Sequence, residues 1–211
     1  MGVKTNLFIR RAERDDLDTV VSWMEDPDFR RFLYGDPARS PRQIREHIVA
    51  MLGRTAGHTV PGAIYLVIDS PDYGPIGLLS LQNISWRNRG CSIDLYIGRK
   101  ELRVGIAAAI AYWQTLAYCF EELNLHRVSA FVYSFNTASW RMLELSGAVR
   151  EITLREHVVR DGERYDMYCY GMLRSEYVAL REGRATRFKD VSLSAMIDAQ
   201  KRAQAATETT Q

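Results

Sequence analysis

Asp94 has the surroundings in this chain that most invite chemistry. It stands in Ile93-Asp94-Leu95-Tyr96-Ile97, a run otherwise apolar enough to be a buried strand. Desolvation penalises the charged form of a carboxylate and lifts its pKa toward the range of a general base. Strand alternation puts Asp94 on one face with Ser92 and Tyr96. The alternative is a structural ion pair with Arg87 or Arg89. The run continues through Gly98 and Leu102 into Arg103-Val104-Gly105-Ile106-Ala107 and then a long helical pattern. A strand feeding a glycine-bearing turn at a helix N-terminus can hold an anionic group. First-turn N–H groups point outward, the helix dipole adds partial positive charge, and Arg103 adds a full one. Gly105 would let the backbone approach a phosphate closely. An ordinary corner, its glycine serving only packing, is the other reading.

The elements that must position these residues follow from periodicity. Ile106, Ile110, Trp113, Ala117 and Phe120 predict one apolar face of a long helix. Short strands are predicted at Leu7–Arg10, Ala63–Ile68, Ile76–Ile84, Ile93–Ile97, Val128–Tyr133, Val149–Val159 and Tyr165–Leu173. A first helix starts at Arg14-Asp15-Asp16, carries Leu17, Val20, Val21 and Met24, and ends at Pro27. Ser40-Pro41 reads as an N-cap for a second helix with Ile44, Ile48, Met51 and Leu52, stopping near Gly53. A shorter helix runs from Asn136 to Leu145, with Gly147 as a left-handed C-cap. Arg160-Asp161-Gly162 is a hairpin turn. The order is strand, two helices, three strands, helix, strand, helix, two strands. It implies an α/β (α+β) fold with a mixed sheet and helices on its faces. The strands on either side of the long helix should be parallel neighbours.

Composition narrows the class without naming the activity. With 46% apolar residues, 26% charged and a formal charge of +2 over 211 residues, this is an ordinary globular chain with no bias toward nucleic acid. No apolar run is long enough to span a membrane, and the first residues do not read as a signal peptide. Cys91, Cys119 and Cys169 are widely spaced in apolar contexts, as suits buried thiols in a reducing cytoplasm. His47, His58, His126 and His157 show no metal-ligand spacing, so no metal is expected.

The second half carries an ordered series: Phe120-Glu121-Glu122-Leu123-Asn124-Leu125-His126-Arg127-Val128, Asn136-Thr137-Ala138-Ser139, Gly147, and Leu154-Arg155-Glu156. It closes with Arg160-Asp161-Gly162, Asp166, Gly171-Met172-Leu173 and Glu176-Tyr177. In this series the chain resembles the GNAT superfamily of acyl-CoA-dependent N-acetyltransferases, especially the branch of ribosomal-protein alanine acetyltransferases. The resemblance spans roughly Leu7 to Tyr177. It implies a GNAT domain over 1–177; the extension over 178–211 lies beyond the resemblance, and its residues predict a thin amphipathic helix over Ser192–Ala206 and disorder at its end. It also implies a seven-stranded, mostly antiparallel mixed sheet in which one parallel pair splays apart.

The resemblance further implies acetyl-CoA as co-substrate. Leu95, Tyr96 and Ile97 would pair with the pantetheine arm, and one of their N–H groups would stabilise the oxyanion. Arg103, Val104, Gly105, Ile106, Ala107 and Ala108 would hold the pyrophosphate, and Asn136 would complete the site. Counted back from Gly105, the family's Gln/Arg position is Leu102; alternatively Arg103 fills it on a shorter loop. The base the family often carries lies at Ser92, which leaves Asp94 first and Glu156 second, the latter with Arg155 or Arg164 as structural partners. The family's usual acid, a tyrosine, falls at Leu143. The alanine-acetyltransferase branch instead points to Ser139 as the acid, or as a simple hydrogen-bonding group. Phe32, Tyr34, Trp86 and Tyr133, with Phe135, are candidates to wall the acceptor pocket. The expected reaction is direct acetyl transfer to a primary amine, on a small molecule or a protein N-terminus, by a cytoplasmic enzyme that could pair as a homodimer. The alternatives are a non-catalytic acyl-CoA sensor and an acyltransferase fed by a carrier-bound donor.

Overall fold

The computed structural model describes residues 7–32, 40, 42–43, 45–46, 49–50, 60–103 and 106–187. Seven strands form one sheet in the order β1-β2-β3-β4-β5-β7-β6. They are β1 (Phe8–Arg11), β2 (Ile64–Ser70), β3 (Gly74–Ser85), β4 (Gly90–Ile97), β5 (Arg127–Tyr133), β6 (Val149–Arg160) and β7 (Glu163–Leu173). Every neighbouring pair is antiparallel except β4 and β5, the parallel pair expected from the strand–helix–strand order. The turn between β6 and β7 has Asp161 and Gly162 both at positive φ, 52° and 83°, as a twist-matched hairpin requires.

Five α-helices have both ends among the described residues: α1 (Leu17–Glu25), α2 (Pro27–Phe32), α3 (Ile106–Ala117), α4 (Thr137–Leu145) and α5 (Arg174–Arg187). Pro27 was expected only to end the first helix; it also opens α2. Asp26 takes ψ 127°, the extended conformation favoured before proline, and its side chain then accepts the Asp28 N–H at 3.0 Å. Proline costs nothing at a first helical position, where its missing N–H would have no helical partner. Ser40 and Gln43 exchange hydrogen bonds, Gln43 N–H to Ser40 Oγ and Ser40 N–H to Gln43 Oε1, as the predicted cap requires. Residues 42–43, 45–46 and 49–50 of that predicted helix are helical; residues 41, 44, 47–48 and 51–59, with its expected apolar stripe, lie outside the described residues.

The long helix is turned slightly from its predicted face. Ala107, Ala111, Tyr112, Thr115 and Leu116 are buried, as are Cys119 and the predicted Phe120 just beyond the helix, while Ile110, Trp113 and Ala117 are half-buried. Small residues let the helix lie close on the sheet. The bulkier flank meets α5, where the Trp113 and Tyr177 rings stand 5.7 Å apart. Helix α5 runs unbroken through Tyr177, so a boundary at that residue falls inside a helix. Leu180 of α5 packs on the core and sits where a Cβ on Gly147 would go.

Two apolar clusters lie on opposite faces of the sheet. The larger joins alternate residues of all the inner strands to α3 and to Leu143 of α4. The smaller joins Val20, Val21, Trp23, Met24 and Phe29 of α1 and α2 to Tyr96 of β4. Cys91, Cys119 and Cys169 are buried free thiols. Among the described residues no helix is long and apolar enough to cross a membrane.

Candidate active site

The site begins where two strands stop pairing. β4 and β5 are in register from Gly90↔Arg127 to Ile93↔Ala130 and no further, although β4 continues to Ile97 and β5 to Tyr133. On its other side β4 stays paired with β3 as far as Gly77↔Ile97, and Gly98 N–H reaches Ile76 O at 2.8 Å. Backbone groups alternate along a strand, so the N–H and C=O of Leu95 and the N–H of Ile97 turn the opposite way, into the gap, while Ile97 O accepts from Arg103. A peptide-like chain lying there could pair with them.

A cavity of about 290 Å³ fills this gap. Asp28, Phe32, Asp94 and Tyr96 line it from the α1–α2 face, and Ala108, Tyr112, Met142 and Leu143 from the other. The opening therefore passes through the sheet, and two reactants can approach from opposite faces. Leu95, Ile97, Arg103, Asn136 and Ser139 complete the set of predicted residues brought together here. Asn136 caps α4, its Oδ1 accepting the Ser139 N–H at 3.3 Å. That bond uses the Ser139 backbone, and among the described residues the Ser139 hydroxyl makes no hydrogen bond, although it borders the cavity.

Asp94 is not paired with Arg87 or Arg89. Arg89 instead donates to the backbone and side-chain oxygens of Asn124, each at 2.7 Å. Among the described residues the partner of Asp94 is the Ser80 hydroxyl, which donates to Oδ2 at 3.4 Å from the facing strand. Burial pushes the Asp94 carboxyl above its ordinary pKa, and the Ser80 hydrogen bond pulls it back only in part. A carboxylate so placed is a better proton acceptor than an exposed one.

Arg103 is held otherwise than a phosphate ligand would be. Its guanidinium donates to Asp28 at 2.8 Å, Asp26 at 2.9 Å, Ile97 O at 2.8 Å and the Tyr96 hydroxyl, and lies over the Tyr96 ring with 4.9 Å to the centroid. Burial raises Asp26, but the Arg103 hydrogen bond, the Asp28 N–H and the charges of Arg103 and Lys100 outweigh it and leave the carboxyl below its ordinary pKa. Burial also pushes the Tyr96 phenol well above its ordinary value. This cluster ties the α1–α2 junction to the end of β4. Sequence reasoning missed Asp26 and Asp28, because nothing local marks two helix-start acids as partners of a residue so far along the chain.

Other predicted residues are placed elsewhere. Trp86 sits in the β3–β4 turn at the far end of β4, its indole N–H donating to Pro61 O at 2.8 Å. Tyr133 stacks on Phe135 with 5.4 Å between centroids, and its hydroxyl accepts from Arg160 at 3.4 Å. Glu156 is exposed on a bulge of β6 with φ 49°, its N–H bound to Asp166. These three are not among the residues lining the cavity. Tyr34, Val104 and Gly105, with the side chain of Ile106, lie outside the described residues, and Ala107 is buried beside that corner. Ala130, Phe131 and Val132 form the facing wall and were not singled out from the sequence. The signal was available, since a splayed pair must have two sides.

The gap suits the acyl-CoA arm: strand backbone turns into it, its walls are largely apolar, and a carboxylate and a hydroxyl stand at its sides. Comparison with known proteins points the same way. A family model described as an acetyltransferase (GNAT) domain matches residues 6–149. The prophage-derived uncharacterized N-acetyltransferase YokL of Bacillus subtilis is 40% identical over 172 residues, 82% of this chain and 92% of its own. The putative ribosomal N-acetyltransferase YdaF of the same species is 31% identical over 101 residues, 48% of this chain and 55% of its own. The crystal structure of spermidine N-acetyltransferase from Vibrio cholerae with CoA and spermine superposes with TM-score 0.73 at 23% identity, over 82% of this chain and 98% of that one.

Proposed function

The chain belongs to the GNAT acetyltransferase family, an N-acetyltransferase moving acetyl from acetyl-CoA to an amine, and from that premise we propose how its residues divide the work. The pantetheine arm lies between β4 and β5, paired with the backbone of Leu95 and Ile97. The backbone of residues 104–108 holds the pyrophosphate, while Arg103 keeps its carboxylate partners and shapes the corner from outside. The acceptor amine enters on the α1–α2 face, the face of Asp94. Asp94 takes the proton the amine must lose. As the N–C bond forms and the C–S bond breaks, a strand N–H steadies the carbonyl oxygen. The Ser139 hydroxyl then donates its proton to the departing thiolate, which leaves as the thiol, and regains a proton from the nitrogen as the amide forms, while the proton held by Asp94 passes to solvent.

The observation that carries this reading is the break in pairing after Ile93↔Ala130, with Asp94 and Ser139 on one cavity. We further propose that the acceptor is a small, positively charged primary amine. Asp94 borders the cavity with no cationic side chain on it among the described residues, and it favours a cation there, while Asp28 is held by Arg103. The similar V. cholerae enzyme, titled for spermidine and solved with spermine, is consistent with that. The test is a thermal-shift titration with acetyl-CoA followed by a free-thiol assay over a panel of amines. A midpoint that rises with ligand, and thiol release with small cationic amines, are expected. A midpoint unmoved at millimolar acetyl-CoA would sink the donor assignment.

A further inference from the structure

On the acceptor face the helical cover stops at β4. The cluster under α1 and α2 takes Tyr65, Leu78 and Tyr96 from β2, β3 and β4, and no residue of β5. Pairing between β4 and β5 ends at Ile93↔Ala130, whose side chains lie in the larger core on the α3 face. Asp94 and Phe131 are the next residue on each strand. Alternation turns both to the opposite face, one on each side of the gap. Both line the cavity. Phe131 is 48% exposed and belongs to neither apolar cluster. Phe32 of α2 borders the same cavity, its ring 6.0 Å from that of Phe135. Aromatic surface left open at a cavity wall is surface that a ligand can bury.

Charge at this mouth is sparse. Of the described charged residues on the cavity, Asp28 and Arg103 neutralise each other at 2.8 Å. Asp94 meets only the Ser80 hydroxyl among the described residues. Beyond Phe32 the next rings already carry cations. Arg31 lies over Phe135 and Arg160 over Tyr133, 5.8 and 5.1 Å from the ring centroids. Asp161 offsets one of them, 3.9 Å from Arg31. The site thus offers one open carboxylate, exposed aromatic surface and a positive rim. A polycation would set its further ammonium groups toward that rim, with no open carboxylate to receive them.

We propose that the acceptor is a monoamine, its single amino group joined by a short chain to an aryl or branched alkyl group. Asp94 meets the amine, while Phe131 and Phe32 bury the apolar end and remove apolar surface from water on both partners. This assignment rests on acetyl transfer with Asp94 facing the amine.

The test is kcat/KM of the full chain with acetyl-CoA, read by thiol release. The acceptors are 2-phenylethylamine, 3-methylbutylamine, ethylamine, spermidine and an apolar tetrapeptide with a free N-terminus. 2-Phenylethylamine is expected to exceed ethylamine and spermidine by about tenfold or more, the discrimination that one well-placed apolar group gives. Phe131→Ala is expected to cut the preference over ethylamine about tenfold, chiefly through KM. Phe131→Asp adds a second carboxylate at the mouth and is expected to turn the preference toward spermidine. Circular dichroism and the thermal shift given by acetyl-CoA confirm that each variant is folded with its donor site intact. Spermidine or ethylamine used as well as 2-phenylethylamine overturns the assignment, while acetyl transfer to an amine stands. So does a preference that Phe131→Ala leaves unchanged, or a tetrapeptide preferred to every free amine. Thiol release with none of the acceptors, from a chain that binds acetyl-CoA, removes the acceptor reading beneath it as well.

Discussion

Arg103 donates to Asp26 at 2.9 Å across 77 positions of sequence, joining the turn before α2 to the stretch that leads into α3. The same guanidinium reaches Asp28 and the end of β4, so one side chain holds three segments around the mouth of the cavity. Arg103→Gln removes the charge and leaves Asp26, only 14% exposed in its side chain, beside the Tyr96 hydroxyl without its main partner. Unfolding in denaturant is expected to show a loss of about 2 kcal/mol. A variant as stable as wild type would mean that this tether contributes nothing.

Asp94 sets the pH profile. As base it must be ionised, and burial raises its pKa. Activity is therefore expected to fall as pH drops through that raised value, at higher pH than an exposed aspartate would give. Stability runs the other way. Between the unfolded and the raised folded pKa the native state holds the extra proton, so Asp94 contributes less as pH rises through that window. Asp94→Asn is expected to lower kcat by about 100- to 10,000-fold and to flatten the acid limb. The thermal shift produced by acetyl-CoA should persist. An unchanged kcat removes Asp94 from the chemistry.

Ser139 separates chemistry from capping. The cap uses its backbone N–H and the Asn136 side chain, both of which survive in Ser139→Ala. That variant is expected to keep its melting temperature while kcat falls about ten- to a hundredfold. Asn136→Ala should instead cost about 1 kcal/mol of stability. Equal kcat in Ser139→Ala and wild type would assign the hydroxyl no part in thiolate departure.

Gly98 seats α1 on the end of β4. A Cβ there would come within 2.2 Å of the Trp23 ring, which is itself buried. Gly98→Ala is expected to destabilise the fold by about 1–3 kcal/mol through overpacking. It should also raise the KM for the amine, because α2 follows directly from α1 and carries Phe32 to the cavity. A neutral substitution in both measurements would show that α1 can shift at no cost.

Much of the architecture was legible locally. All seven strands fall where apolar runs and turn residues put them, and Asp161-Gly162 and Gly147 take the positive φ that their types suggested. Helix α5 escaped because Arg174–Arg187 is rich in charge and has few apolar residues, among them Tyr177 and Leu180, which pack on the core. The small α2 is hidden in the sequence because Pro27 reads as a stop. In a chain, proline ends one helix and can begin the next, and only the extended Asp26 before it decides which.

By itself the sequence determined the order of the strands, the parallel pair and the strand that carries Asp94, because periodicity and turn chemistry act over a few residues. Only the tertiary structure decided that pairing between β4 and β5 stops at Ile93↔Ala130, and that Ser80 rather than an arginine faces Asp94. It also decided that Arg103 is held by Asp26 and Asp28. Those outcomes depend on which distant segments share a face of the sheet, and no spacing along the chain encodes that.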